Sequence, residues 1–165
     1  MSALEQAILT WIHLIAASIW VGGSLFIGIV FSPLLKTMTN SLEERMQIMI
    51  RVGRRFNKVA VPSLIILMAT GLYSSHMLLG KPELLLATSY GIFLLTKIIL
   101  VIALIIIYII HVRVIRKDIE DQIMDNKMSE IQIRKLRKKI IILGEIMVVL
   151  SLAILFFASL LDAGV

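Results

Sequence analysis

The chain has 165 residues, a net charge of +6 and no cysteine, which excludes disulfides, a thiolate metal site and a cysteine nucleophile. It is 59% hydrophobic, against roughly 45–50% for a soluble domain, and its mean hydropathy is +0.96. The basic residues lie beside the apolar stretches, so topology and lipid head groups account for them and nucleic acid is not an expected partner.

Four stretches reach the ~20 apolar residues needed to cross a bilayer: about 7–31, 59–79, 87–110 and 140–161. The expected fold is all-α: a single four-span membrane domain over residues 1–165, built as a four-helix bundle. Ahead of the first span stands Glu5 and no Lys or Arg, whereas a secretory signal begins with positive charge. The first span therefore reads as retained, with its N-terminus outside.

Between spans one and two lie Lys36, Arg45, Arg51, Arg54, Arg55 and Lys58. Within that segment, Ser41-Leu-Glu-Glu44 has the spacing of a capping box, opening a helix that runs into span two. Pro62 is the expected kink in it, tolerated where neighbours re-satisfy the freed carbonyl. Spans two and three are joined by the short turn GKPE, Gly80 to Glu83, whose Lys81 is the single base on that side. Between spans three and four the basic residues run from Arg113 to Lys139. By the positive-inside rule both long segments are cytoplasmic and both termini lie outside, giving a multi-pass protein of the plasma membrane. Asp125-Asn126 is the expected turn. Ser129-Glu-Ile-Gln132 is a second capping box, with Glu130 and Arg134 four apart in the favoured order. Spans three and four thus extend past the bilayer as a charged helical hairpin.

Ionisable groups at membrane depth are costly and mark function. The candidates are His13, His76, Lys97, His111 and Glu145. His13 lies ~9 Å inside span one and Lys97 ~15 Å into span three, at ~1.5 Å per residue. His76 is about one turn from the outer end of span two, a level similar to that of His13. The flexible stem of Lys97 carries its ammonium outward, so the three side chains are expected to meet in the outer half. His111 and Glu145 form a second group near the cytoplasmic side. His13 shares its helical stripe with Ala16, Ala17, Trp20, Gly23, Ser24 and Gly28, at steps of three and four. Small residues allow close helix packing, leave room for a flat cofactor, and suit a second copy of the chain equally. Tyr73 aligns with His76 on span two, and Tyr90 with Lys97 on span three. The methionines are scattered rather than clustered, which favours core filling over soft copper ligation.

WIHLIAASIWVGG (Trp11 to Gly23) resembles the first span of the copper resistance protein D (CopD) family and of the related HemJ protoporphyrinogen oxidase family. SYGIFLLTKIILVIALIIIYIIH (Ser89 to His111) resembles their tyrosine-glycine, then lysine-leucine, span. RRFNKVAVPSLIILMATGLY (Arg54 to Tyr73) is similar to the HemJ segment that enters span two through an arginine pair. Gly144-Glu-Ile146 falls where HemJ proteins carry Asn-Glu-Pro, and Tyr108 and His111 stand two residues further apart than the HemJ Tyr-His pair. The resemblance implies a four-helix membrane protein. On the HemJ side it implies haem b binding and protoporphyrinogen oxidation, with the first-span histidine and third-span lysine mapping to His13 and Lys97. On the CopD side it implies copper uptake.

The leading expectation is a haem b protein acting in electron transfer or in oxidation of a porphyrinogen or quinol. His13 and His76 are its axial metal ligands, with His111 the alternative to His76. Lys97 pairs with a propionate or substrate, and Trp20, Gly23, Tyr73 and Tyr90 line the cofactor pocket. Lys97 and Glu145 are the candidate catalytic groups, and partners would be the bilayer, a quinone, a porphyrin or respiratory subunits. The rivals are a copper path through His13, His76 and methionines, and a structural subunit of a respiratory complex. No Gly-rich phosphate loop, HExxH helix or hydrolase triad is present.

Overall fold

A computed structural model of the chain describes residues 2–80, 82–125 and 127–164, and excludes the side chains of Met77, Leu78, Leu79, Pro82 and Leu84. Lys81, the single base of the turn between spans two and three, and the second residue of the Asp125-Asn126 turn lie outside the described residues.

The described residues form helices and no strand. Helix α1 spans Ala3–Met38, α2 Leu42–Leu79, α3 Pro82–Ala87, α4 Ser89–Val114, α5 Lys117–Met124 and α6 Glu130–Asp162. Four of them, α1, α2, α4 and α6, are long and apolar enough to cross a membrane. Only 6–11% of each crossing stretch is buried inside the protein. An apolar surface of that extent belongs in lipid, where every backbone group is satisfied within its helix.

The helix starts follow from local hydrogen bonding. At Ser2, the side chain accepts the Glu5 N–H while Glu5 accepts the Ser2 N–H, a complete capping box. The box expected at Ser41 forms only by half. Its hydroxyl accepts the Glu44 N–H at 3.2 Å, but the Glu44 carboxylate takes the Thr39 hydroxyl instead of the Ser41 N–H. Thr39 then accepts that N–H at 3.2 Å, so all three groups remain satisfied. Arg45 donates to the carbonyls of Thr39 and Lys36 at 2.7 and 3.2 Å, closing the end of α1, where the last carbonyls lack helical partners. The second box is complete, with Ser129 and Gln132 satisfying each other's backbone. The turn is shorter than the expected Gly80 to Glu83. Pro82 and Glu83 already belong to α3, since proline's fixed φ and missing N–H suit a first helical turn. Helix α2 continues through Pro62.

Within α1, two π-helical segments occupy Ser18–Gly22 and Phe26–Phe31. Each inserts extra chain into a turn and rotates whatever follows. The stripe expected from His13 to Gly28 is therefore not continuous. Ala16 and Trp20 are buried at 2% and 4% exposure, whereas Gly28 is exposed.

Helix α4 packs along α6, and α1 along α2. Two buried clusters result. One lies inside the bundle, with Trp20, Ala60, Leu64 and Leu104 at its centre. The other is built where α5 folds against the start of α2 and α6, around Met46, Ile50, Ile123 and Ile133. Three contacts fasten α5 and the turn before it: Arg54 meets Glu120 at 2.6 Å, Arg54 also donates to the Ile115 carbonyl at 3.2 Å, and Gln47 donates to the Ile123 carbonyl at 3.0 Å. Removing an isoleucine side chain from water is worth ~1.5–3 kcal/mol. Lipid tails are as apolar as leucine, so in the bundle cluster close packing and hydrogen bonds replace that term.

Candidate functional site

His13 projects from α1 onto α2. Its Nδ1 lies 2.6 Å from Thr70 Oγ1. The Thr70 hydroxyl donates its own proton to the Ile66 carbonyl at 2.6 Å. With that proton committed, Thr70 accepts and His13 Nδ1–H donates. The Nδ1–H tautomer follows, and Nε2 keeps its lone pair. Gly71 completes the seat: a Cβ placed there would stand 3.8 Å from His13 Cε1. Thr70 carries no sequence signal beyond its place on an apolar helix, because only the docking of α1 on α2 brings it to His13.

Lys97, from α4, is half-buried and lies within electrostatic range of His13. It forms no hydrogen bond or ion pair among the described residues. The half of the bundle away from α5 thus holds a positioned imidazole with one free nitrogen and an ammonium that lacks a counter-ion among the described residues.

His76 does not join them. Its side chain is exposed, and its Nδ1 donates to the Tyr73 carbonyl at 2.5 Å. Thr70, which His13 touches, precedes His76 by six residues, ~9 Å along α2 and roughly 120° around it. The common level expected for His13 and His76 is thus displaced by more than a turn. The rings of Tyr73 and His76 pack at 5.4 Å. Tyr73 and Tyr90 are 47% and 45% exposed and lie towards the outside rather than lining an enclosed pocket. Gly23 offers no clearance: a Cβ there would stand 2.2 Å from the Phe56 ring, which takes up that space. Gly23 is a packing glycine between α1 and α2.

Trp20 is part of the wall between two regions. Its indole N–H donates to Ser151 Oγ on α6 at 3.1 Å, and its ring meets Tyr108 edge-on at 5.4 Å. Seven residues, ~10 Å of helix, separate it from His13.

Beyond Trp20, towards the end where α5 docks, lies a cavity of about 430 Å³. Tyr108, His111, Asn57, Gly53, Gly144 and Glu145 contribute to its wall. Tyr108 donates to Asn57 Oδ1 at 3.4 Å. His111 Nδ1 is buried, and no group among the described residues partners it. His111 and Glu145 line one cavity, as their expected grouping requires, but no ion pair or hydrogen bond joins them. Among the described residues, no three His, Cys, Asp or Glu side chains converge as a metal-holding group.

A sequence profile described as copper resistance protein D matches residues 50–161. The match begins inside α2 and ends inside α6, so it takes in Thr70, His76, Lys97, His111 and Glu145 but not His13 or Trp20. An uncharacterised protein of Aquifex aeolicus (strain VF5) is 33% identical over 84 residues, covering 50% of this chain and 57% of that protein. The match therefore spans little more than half of that relative's length. No solved structure matches the chain.

Proposed function

The chain belongs to the copper resistance protein D family, and from that premise we propose that it is a multi-pass membrane protein in which His13 is the protein ligand of a haem b iron. One observation carries this reading: the hydrogen bond of His13 to Thr70, which leaves Nε2 as the one free ring nitrogen. A metal-binding histidine is typically oriented by such a second partner on its other nitrogen. Lys97 favours a carboxylate-bearing cofactor over a bare ion. An ammonium with no counter-ion repels a metal cation and attracts a propionate. The donor set fits haem b through a single protein ligand, since His76 lies elsewhere on α2. Haem b supplies one-electron redox chemistry when bound. The chain's own part is to hold the imidazole in one tautomer, to neutralise a carboxylate through Lys97, and to keep water out with Ala16 and Trp20 on the inner side.

The topology belongs to the same proposal. Fifteen basic residues between spans one and two and between three and four, against Lys81 alone in the remaining connection, support a cytoplasmic location for the long segments and outer termini in the plasma membrane.

The test is the visible spectrum of protein purified from cells supplied with haem. A Soret band is expected, and His13→Ala removes it. Absence of the band, or a band indifferent to His13→Ala, overturns the reading. A second reading, copper handling at His13, is favoured by the family's description. Stoichiometric copper without a Soret band, lost in His13→Ala, would establish it instead.

A further inference from the structure

The cavity beyond Trp20 belongs to no part of that proposal, and it carries features that call for a ligand. Its volume of about 430 Å³ lies within the ~300–1,000 Å³ typical of small-molecule sites. Gly28, Gly53 and Gly144 come from three different helices, and a Cβ on any of them would meet nothing within 4 Å. The wall is therefore smooth where three side chains would otherwise crowd it. The rest of the wall is mainly aliphatic and aromatic.

The polar groups restrict the ligand's charge. Among the described residues, Arg54 is the one Lys or Arg in the wall, and Glu120 and the Ile115 carbonyl already engage it. Glu145 adds a negative charge. A carboxylate or phosphate would thus find repulsion and no free cation. His111 Nδ1 restricts the ligand further. A buried polar atom without a partner costs ~1–3 kcal/mol. Neither an aliphatic lipid chain nor a quaternary ammonium can serve it. A neutral imidazole presents either an N–H or a lone pair at Nδ1, according to tautomer. It can therefore donate to a carbonyl or accept from a hydroxyl.

We propose that this cavity binds the ring of a neutral quinone or quinol carrying an apolar tail, with His111 Nδ1 as its hydrogen-bond partner. The ring lies against the glycine wall and the tail extends into the surrounding lipid. The site is independent of His13, because Trp20 and its hydrogen bond to Ser151 stand between the two.

Trp20 is also the reporter. The chain has two tryptophans, and Trp11 is 63% exposed, so Trp11→Phe isolates Trp20 in the cavity wall. In lipid nanodiscs, decylubiquinone is expected to quench Trp20 fluorescence saturably. His111→Leu raises the half-saturating concentration about tenfold. Gly144→Phe fills the cavity from an open position and abolishes saturation, which decides the matter should His111→Leu fail to fold. Arg134→Ala, at the exposed start of α6, leaves the curve unchanged. Quenching that grows without saturating overturns the proposal. So does a half-saturation point indifferent to both cavity variants, or displacement by laurate or dodecyltrimethylammonium at concentrations equal to or below those of decylubiquinone.

Discussion

His13 and His111 lie in opposite halves of the bundle, and they differ in what binds Nδ1. His13 has its Nδ1 bound to Thr70, whereas His111 has its Nδ1 buried and unpartnered among the described residues. The first arrangement holds one tautomer and presents one defined nitrogen, which suits a metal. The second has no fixed tautomer and adapts to a ligand that donates or accepts. Charge follows the same division. The half around His13 carries the ammonium of Lys97, unpaired among the described residues, while in the half where α5 docks the cation Arg54 is paired and the carboxylate of Glu145 has no ion-pair partner among the described residues. Two imidazoles in one apolar bundle therefore suit different ligands because of what their neighbours have already satisfied.

The harshest challenge to this division is made at the helix contact between the halves. Gly23→Ala drives a methyl into the Phe56 ring and should cost ~1–3 kcal/mol, the usual penalty of overpacking. Gly22→Ala, one residue away with nothing near it, should cost less than ~0.5 kcal/mol. Thermal unfolding in detergent micelles compares them, and equal midpoints would mean that α1 and α2 do not approach as described. Next in size is Thr70→Val, which keeps the shape and removes the acceptor for His13. Haem retention should weaken about tenfold, while quinone quenching of Trp20 stays as it was. If both signals fell together, the halves would not be independent. The smallest effect belongs to the exposed pair Glu130–Arg134 on α6, 2.6 Å apart. Arg134→Ala should cost ~0.2–0.5 kcal/mol and move neither spectrum nor quench. A larger loss would show that the start of α6 supports the inner cavity.

Much of the molecule is legible in its residues alone. The four spans, the capping box at Ser129 and the pairing of Glu130 with Arg134 are local features, set by composition and by spacings of three and four. The half-formed box at Ser41 shows the limit, since Thr39, two residues upstream, competes for the same groups. The stripe headed by His13 assumes a uniform helical period. The π segments of α1 break that period, so Trp20 turns into the core and Gly23 onto Phe56. A meeting of His13 with His76 follows from depth counted from span ends. Helix rise alone says nothing of how two helices slide or rotate against each other, and the contact falls at Thr70 instead.

Composition and hydrophobic spacing determined by themselves that this chain is an all-helical, four-span membrane protein with ionisable groups in both halves. Those properties depend only on residues close in the sequence. Which groups are satisfied was decided by tertiary structure alone. Thr70 reaches His13 across 57 positions, Ser151 reaches Trp20 across 131, and none of the described residues reaches His111 Nδ1. Hydrogen bonds act over about 3 Å, and only the packing of the helices determines which distant residues come that close.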